Sequence, residues 1–161
     1  MLDPPSDTAP RDIWDHRRLR RGDFPVLRDI PLRRADVDVY GHVNNVVHYS
    51  IFDTAVNGWL IEASGVDIRR LDAIGLVVGT SCRYHAELEF PGTVTAALAL
   101  ERLGTSSVVY RLALFGEPEL PAATGRFVHV YVHRTARRPL RVPDEVRVAL
   151  TRLQRSAVDE R

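Results

Sequence analysis

Residues 35–45 read Ala-Asp-Val-Asp-Val-Tyr-Gly-His-Val-Asn-Asn, and they lead directly into a largely apolar run that ends near Ala63. The apolar residues of this run recur with helical spacing: Phe52, Ala55, Val56, Trp59, Leu60 and Ala63. An i, i+3, i+4, i+7 repeat predicts a helix that buries one face. Asn44 is placed to cap the start of this helix, and Gly65 is placed to end it.

The start of such a helix is suited to polarising a carbonyl group. Its first N–H groups have no intrahelical partners and carry a partial positive charge. A carboxylate held beside them, from Asp36 or Asp38, can stay ionised at neutral pH and face a carbonyl that these groups polarise. The stretch therefore contains the groups needed for acyl chemistry without a serine or cysteine nucleophile.

The composition restricts the class of protein. The chain has 161 residues, of which 45% are hydrophobic and 27% charged, and this predicts one globular domain. A net charge of +1 gives no argument for binding nucleic acid or a membrane surface. The single cysteine, Cys82, excludes an internal disulfide framework and a metal site built from several cysteines. No apolar run reaches the ~18 residues of a membrane helix, and no signal segment is evident, so we expect a cytoplasmic protein.

The rest of the chain predicts mainly strands. A first strand is expected between Phe24 and Arg34, and period-two alternation predicts strands near residues 78–89, 94–100, 108–114 and 123–134. A short amphipathic helix is expected after Pro143. The order of strand, long helix, four strands and terminal helix predicts an α+β fold, with an antiparallel sheet against one helix. The edge strands of such a sheet usually pair with a second copy.

At this point the chain resembles the 4-hydroxybenzoyl-CoA thioesterase-like family. The resemblance is carried by residues 36–45, by Tyr49 and residues 52–55 of the helix, and by residues 84–92, and it covers roughly residues 25–150. It implies the hot-dog fold, a curved antiparallel β-sheet wrapped around a long central helix. Residues 23–155 then form a single hot-dog domain, and residues 1–22 form a flexible tail or short clasp.

The resemblance also implies a function and roles for the residues of the loop. It implies an acyl-CoA thioester hydrolase that forms a homodimer or homotetramer, with CoA as part of the substrate and no metal or redox cofactor. Asp38 matches the catalytic carboxylate, acting as a nucleophile or as a general base that activates water. The backbone N–H of Asn45 polarises the thioester oxygen, and Gly41 supplies the turn. His42 stays open between a general base, a substrate contact and a loop residue, while Asp36 is expected to accept backbone N–H bonds as a scaffold.

Further positions are expected to contact the substrate: Asn44, Tyr49, Ser106, Ser107, Arg137 and Arg138. The serine pair resembles a small polar pair beside the pantetheine path of the family. The arginines, together with Arg102 and Arg141, are candidates for the CoA phosphates by residue type and placement. His129 and His133 share one face of the last strand, but two histidines without a third ligand do not predict a metal site.

Two other functions remain open from the sequence. A hot-dog enoyl-thioester hydratase also uses an aspartate and a histidine on a short loop, which Asp38 and His42 loosely match, but the chain lacks the Asn-Pro found between them in that class. The third possibility is a non-catalytic module that binds acyl-CoA or acyl-carrier protein. The presence of Asp38 argues against the third possibility.

Overall fold

Five strands and two helices follow one another in the order predicted from the sequence. The computed structural model describes residues 15–154. Its elements are β1 (Val26–Pro31), α1 (Asn45–Ser64), β2 (Ala73–Tyr84), β3 (Thr93–Leu103), β4 (Ser107–Phe115), β5 (Ala123–His133) and α2 (Asp144–Leu150). Within these residues, neither helix combines the length and apolar character needed to cross a membrane.

The five strands form one antiparallel sheet in the order β1-β3-β4-β5-β2, so β1 and β2 are its edges. α1 lies against one face of this sheet, and α2 packs beside α1. A sheet that is curved around one long helix is the predicted α+β architecture, which the structure confirms.

Local sequence determines both ends of α1. The Asn44 side chain accepts a hydrogen bond from the Val46 N–H at 3.1 Å, which caps the first turn. Gly65 follows the last turn in the left-handed conformation, with φ of 68°. Both predicted caps are therefore confirmed. Between them, Phe52 and Val56 are fully buried against the sheet.

A glycine on β5 allows the sheet to approach α1 closely. A Cβ atom at Gly125 would lie 2.6 Å from a ring carbon of Phe52 and 3.1 Å from the carbonyl oxygen of Ser81. Both distances are too short for ordinary packing, and Phe52 has no exposed surface into which its ring could move. Gly125 therefore fixes how closely the middle of α1 lies against the sheet.

The strand predicted near residues 78–89 is misplaced. It begins at Ala73 and ends at Tyr84. Its first residues pair with the end of β5, and the register then shifts between Val77 and Gly79. After Tyr84 the chain leaves the sheet, since the N–H groups of the next two residues both bond to the Ala122 carbonyl. Because β2 lies at the edge of the sheet and its register is irregular, buried and exposed residues do not alternate regularly along it. The prediction depended on such an alternation.

Part of the segment predicted as a tail or clasp packs against the face of the sheet opposite α1. Leu19 of that segment is almost fully buried there, as is Phe24 at the start of the predicted first strand; both pack against alanines of β3 and β4 and against Phe115. The Arg21 guanidinium lies 4.9 Å from the centroid of the Phe115 ring and donates to the carbonyls of Gly116 and Pro118. Residues 1–14 lie outside the described part of the chain.

Candidate active site

The loop before α1 is a tight turn held by its own backbone. The Asp38 N–H donates to the His42 carbonyl at 2.8 Å, and the Gly41 N–H donates to the Asp38 carbonyl at 3.2 Å. Gly41 has φ of +88°, a conformation that side-chain-bearing residues rarely adopt. Gly41 therefore makes the expected turn, and Asp38 lies where the chain reverses towards the helix.

The Asp38 carboxylate is half-buried and oriented through one of its oxygens. Oδ1 accepts hydrogen bonds from the N–H groups of Tyr40, at 2.8 Å, and His42, at 3.3 Å. No group within residues 15–154 donates to Oδ2. One oxygen thus holds the side chain in the turn, and the other is left for a water molecule or a substrate.

Asp36 has a different environment and a scaffolding role. It is buried, and its carboxylate accepts from the Arg33 N–H and from the Arg33 guanidinium, both at 2.7 Å. The guanidinium holds the pKa of the Asp36 carboxyl below its usual range. Its backbone carbonyl accepts from the Asn44 N–H at 2.9 Å, which ties the loop to the helix cap. The predicted backbone hydrogen bonding of Asp36 is confirmed.

Among residues 15–154, one backbone donor in the first turn of α1 has no hydrogen-bond acceptor. The Val46 N–H is bound by the Asn44 side chain, and the Val47 N–H donates to the Asn44 carbonyl at 2.8 Å. The Asn45 N–H has no intrahelical acceptor because it belongs to the first helical residue. It therefore remains available to an incoming carbonyl oxygen, as the resemblance implies. Tyr49 lies one turn further along the helix and is half-buried.

Tyr84 is a residue of this site that the sequence did not single out. Its hydroxyl donates to the Asn45 carbonyl at 3.0 Å, which connects the end of β2 to the start of α1. Burial is the main cause that raises the pKa of Tyr84 to about 12, so the phenol stays protonated and remains a donor. The sequence shows an aromatic residue at a strand end, but it does not show that this residue meets Asn45.

The two histidines nearest the loop are held by other groups. The His42 Nε2 atom lies 3.2 Å from a Glu87 carboxylate oxygen and 3.9 Å from a Glu89 oxygen. His48 is buried, and its Nδ1–H donates to the Asn44 carbonyl at 3.1 Å. Burial lowers the pKa of His48, so its imidazole is neutral at pH 7. His48 thus supports the helix cap, while His42 faces surface acids.

One group within the described part of the chain has the composition of a metal site. The ligand atoms of His42, Glu87 and Glu89 lie within 4.8 Å of one another. Both glutamate side chains are at least 70% exposed, and exposed acidic groups commonly cluster without an ion. His133 accepts N–H bonds from its own turn through Nδ1, so it does not join His129 in a site. We assign no metal to these residues.

Several predicted substrate contacts lie at the other end of the sheet: Ser106, Ser107, Arg137 and Arg138. The backbone carbonyl of Ser106 accepts from the Tyr131 N–H at 2.7 Å, and the backbone carbonyl of Arg138 accepts from the His133 N–H at 2.8 Å. The start of α1, which follows the Asp38 loop, lies near the opposite end of β5. There Tyr84 pairs with Ala123, and the Tyr84 hydroxyl donates to the Asn45 carbonyl. The two ends of β5, Ala123 and His133, are roughly 33 Å apart at ~3.3 Å per residue. A single chain therefore does not bring these groups to Asp38.

The curved antiparallel sheet around α1 is the hot-dog fold, which the chain shares with solved structures. The chain belongs to the thioesterase-like superfamily, whose sequence profile matches residues 32–150. The prediction of an enzyme, a hydrolase acting on thioesters, is confirmed by this membership.

Solved structures agree with this assignment. The PA5185 protein from Pseudomonas aeruginosa is 49% identical over 86% of this chain and 98% of its own, with a TM-score of 0.82. The PA2801 protein from the same species, a proposed thioesterase, is 31% identical over 79% of this chain and 98% of its own, with a TM-score of 0.72. The SAV2348 protein from Staphylococcus aureus, solved in complex with CoA, shares the fold at 16% identity over 82% and 87%, with a TM-score of 0.74. Among curated proteins, none matches the chain significantly.

Proposed function

We propose that the protein is a cytoplasmic acyl-CoA thioester hydrolase of the 4-hydroxybenzoyl-CoA thioesterase-like kind, with its chemistry at the Asp38 loop and the start of α1. The observation that carries this proposal is the pairing of two groups: Asp38 Oδ2, which has no partner within residues 15–154, and the Asn45 N–H, which has no intrahelical acceptor. The CoA bound in the SAV2348 structure supports a CoA-type ligand for this fold.

In the proposed reaction, the thioester oxygen accepts a hydrogen bond from the Asn45 N–H as negative charge develops on it. A single donor positioned in this way is worth ~2.7–4 kcal/mol in comparable acyl-transfer sites. The positive end of the α1 dipole acts in the same direction. The reaction needs no metal or redox cofactor, because water is the second substrate and CoA enters as part of the first.

Asp38 acts in one of two ways in this scheme. As a general base, its carboxylate takes a proton from water, and the hydroxide attacks the carbonyl carbon. As a nucleophile, it attacks that carbon itself, and water then hydrolyses the mixed anhydride. In both routes the carbon–sulfur bond breaks, the CoA sulfur takes the released proton, and a carboxylic acid leaves.

A homodimer or homotetramer would complete the site. Leu76, Val77 and Val78 on the edge strand β2 are between 37% and 61% exposed, which is unusual for three consecutive apolar residues. Antiparallel pairing of β2 with a second copy about a two-fold axis would place the Tyr84 end of one strand beside the Ala73 end of the other. That arrangement would bring the serines and arginines at the far end of one chain to the Asp38 loop of the other.

The decisive measurement is the release of free thiol from a panel of short, branched, aromatic and long acyl-CoAs. Release from at least one of them, with the matching carboxylic acid as co-product, supports the proposal. Hydration of crotonyl-CoA without thiol release would instead indicate the hydratase. Binding of acyl-CoA or acyl-carrier protein with neither reaction would indicate the non-catalytic module.

A further inference from the structure

The side chain of His48 is bonded to the peptide group that carries the proposed oxyanion donor. The Asn44 carbonyl and the Asn45 N–H belong to one peptide unit, and the His48 Nδ1–H donates to this carbonyl at 3.1 Å. The Val47 N–H donates to the same oxygen at 2.8 Å. In a trans peptide the C=O and N–H groups point in opposite directions, so both bonds form on the side away from the Asn45 N–H. His48 can therefore act on this donor without lying beside the substrate.

Hydrogen bonds to the carbonyl of a peptide strengthen its N–H as a donor. They draw electron density towards the oxygen and leave the N–H more positive, by ~10–30% of the strength of the next hydrogen bond. One oxyanion donor is worth about 100- to 1000-fold in kcat. On a logarithmic scale, a strengthening of this size corresponds to about two- to eightfold in kcat.

Packing fixes the His48 ring in the orientation that this bond needs. The residue is 3% exposed, and its ring lies nearly perpendicular to that of Tyr84, at 85°, with 4.9 Å between the centroids. The Tyr84 hydroxyl donates to the Asn45 carbonyl at 3.0 Å. Two side chains in contact thus hold two successive carbonyls at the start of α1. Burial lowers the pKa of His48, so its neutral imidazole carries one proton, on Nδ1.

We propose that His48 is a positioning residue for thioester hydrolysis, which polarises and orients the Asn45 N–H through the peptide unit that this N–H shares with Asn44. In this role the imidazole keeps its proton throughout the reaction. The inference rests on the proposed hydrolysis, because the strength of the Asn45 N–H matters only if charge develops on a carbonyl oxygen there. A histidine that merely capped the helix would affect the free energy of unfolding and leave kcat of the folded protein unchanged.

Three variants separate the hydrogen bond from the rest of the side chain. His48→Leu removes the donor and keeps an apolar side chain, whereas His48→Asn keeps an N–H donor on the atom that corresponds to Nδ1. An asparagine of α1 already makes such a bond, since Asn57 Nδ2 donates to the Asp53 carbonyl, four residues earlier, at 3.1 Å. Asn57→Leu is the matched control, because it removes a bond of the same spacing ~18 Å further along the helix than Asn45.

The kinetic test measures kcat and KM for thiol release by the full chain, with the acyl-CoA of the panel that the wild-type protein hydrolyses fastest. His48→Leu is expected to lower kcat about two- to eightfold at unchanged KM, because the affected hydrogen bond strengthens in the transition state. His48→Asn is expected to recover most of this loss, and Asn57→Leu is expected to keep the wild-type kcat. Urea unfolding and light scattering of each variant control for folding and association.

NMR of the ligand-free protein gives a second readout that does not depend on turnover. The wild-type protein is expected to show the Nδ1–H tautomer of His48. His48→Leu is expected to shift the resonances of the Asn44 carbonyl carbon and the Asn45 amide proton, whereas Asn57→Leu is expected to leave them in place. A proton on Nε2 instead of Nδ1 would overturn the proposal even if a variant does not fold.

The remaining outcomes distinguish this inference from the proposed function. A wild-type kcat in His48→Leu, an unchanged Asn45 amide resonance, or a loss of kcat that His48→Asn does not recover would each overturn the role of His48 and leave thioester hydrolysis standing. An equal loss of kcat in Asn57→Leu would do the same. Absence of thiol release by the wild-type protein from every acyl-CoA of the panel would overturn the proposed function, and this inference with it.

Discussion

Replacing Asp38 with asparagine separates the chemistry of this side chain from its structural role. The Asp38 carboxylate holds the turn through Oδ1, which accepts from two backbone N–H groups. An asparagine oxygen can accept both of these bonds in the same place, so Asp38→Asn is expected to keep the loop. The amide cannot act as a base or as a comparable nucleophile, so the same change removes the proposed chemistry.

The expected magnitudes follow from these contacts. A positioned base contributes at least ~100-fold to a rate, which corresponds to ~2.7 kcal/mol in the barrier. We expect Asp38→Asn to lower kcat for thiol release by at least about 100-fold. Its free energy of unfolding should change by less than ~1 kcal/mol, whereas Asp38→Ala loses both bonds to the turn and should cost ~1–3 kcal/mol.

The assay is thiol release under saturating acyl-CoA, with urea unfolding of every variant. Asp29→Asn is the matched control, because its carboxylate on β1 accepts one hydrogen bond, from Thr95 at 2.7 Å, that an amide oxygen can also accept. This control should keep wild-type activity. If Asp38→Asn hydrolyses acyl-CoA at the wild-type rate, Asp38 is only a turn residue and the assignment fails.

Three further predictions concern the fold and the assembly. Gly125→Ala should lower the free energy of unfolding by ~1–3 kcal/mol, because the new methyl group meets the Phe52 ring, and pairing it with Phe52→Leu should restore part of the loss in urea titrations. Asp36→Asn should lower stability at pH 7, because the pKa of Asp36 is depressed by Arg33 in the folded state. This stabilisation is present above the unfolded-state pKa and is lost as pH falls through the folded-state pKa, so the difference from wild type should shrink in acid unfolding. Val78→Asp should give a monomer by light scattering and reduce thiol release; a dimer that persists would place the subunit contact elsewhere.

The elements that the sequence predicts well are those with local causes. The start and end of α1 depend on Asn44 and Gly65, and each acts within a few residues of its own position. The hydrogen bonds of Asp36 and Asp38 within the loop also have local causes, because both carboxylates accept from residues up to four positions away. Such interactions are visible in the order of residues along the chain.

The features that the sequence does not predict depend on distant segments. The Tyr84 hydroxyl donates to the Asn45 carbonyl, although the two residues are 39 positions apart in the sequence. His42 lies beside Glu87 because the fold brings their segments together, and no local pattern indicates this contact. The limits of β2 depend on how it pairs with β5 and on the register shift after Val77. Contacts of this kind arise only when the strands have assembled, so periodicity alone places them poorly.

Because the segment around Leu19 and Phe24 packs on the face of the sheet opposite α1, the middle of the sheet is covered on both faces. Alanines of β3 and β4 lie beneath it, while α1 and α2 cover the opposite face. In hydrogen-exchange terms, the amides of β3 and β4 should exchange only when the whole domain unfolds, since no partial opening uncovers them. The amides along the free edge of β2 should exchange first, and their protection should rise with protein concentration if a second copy covers that edge.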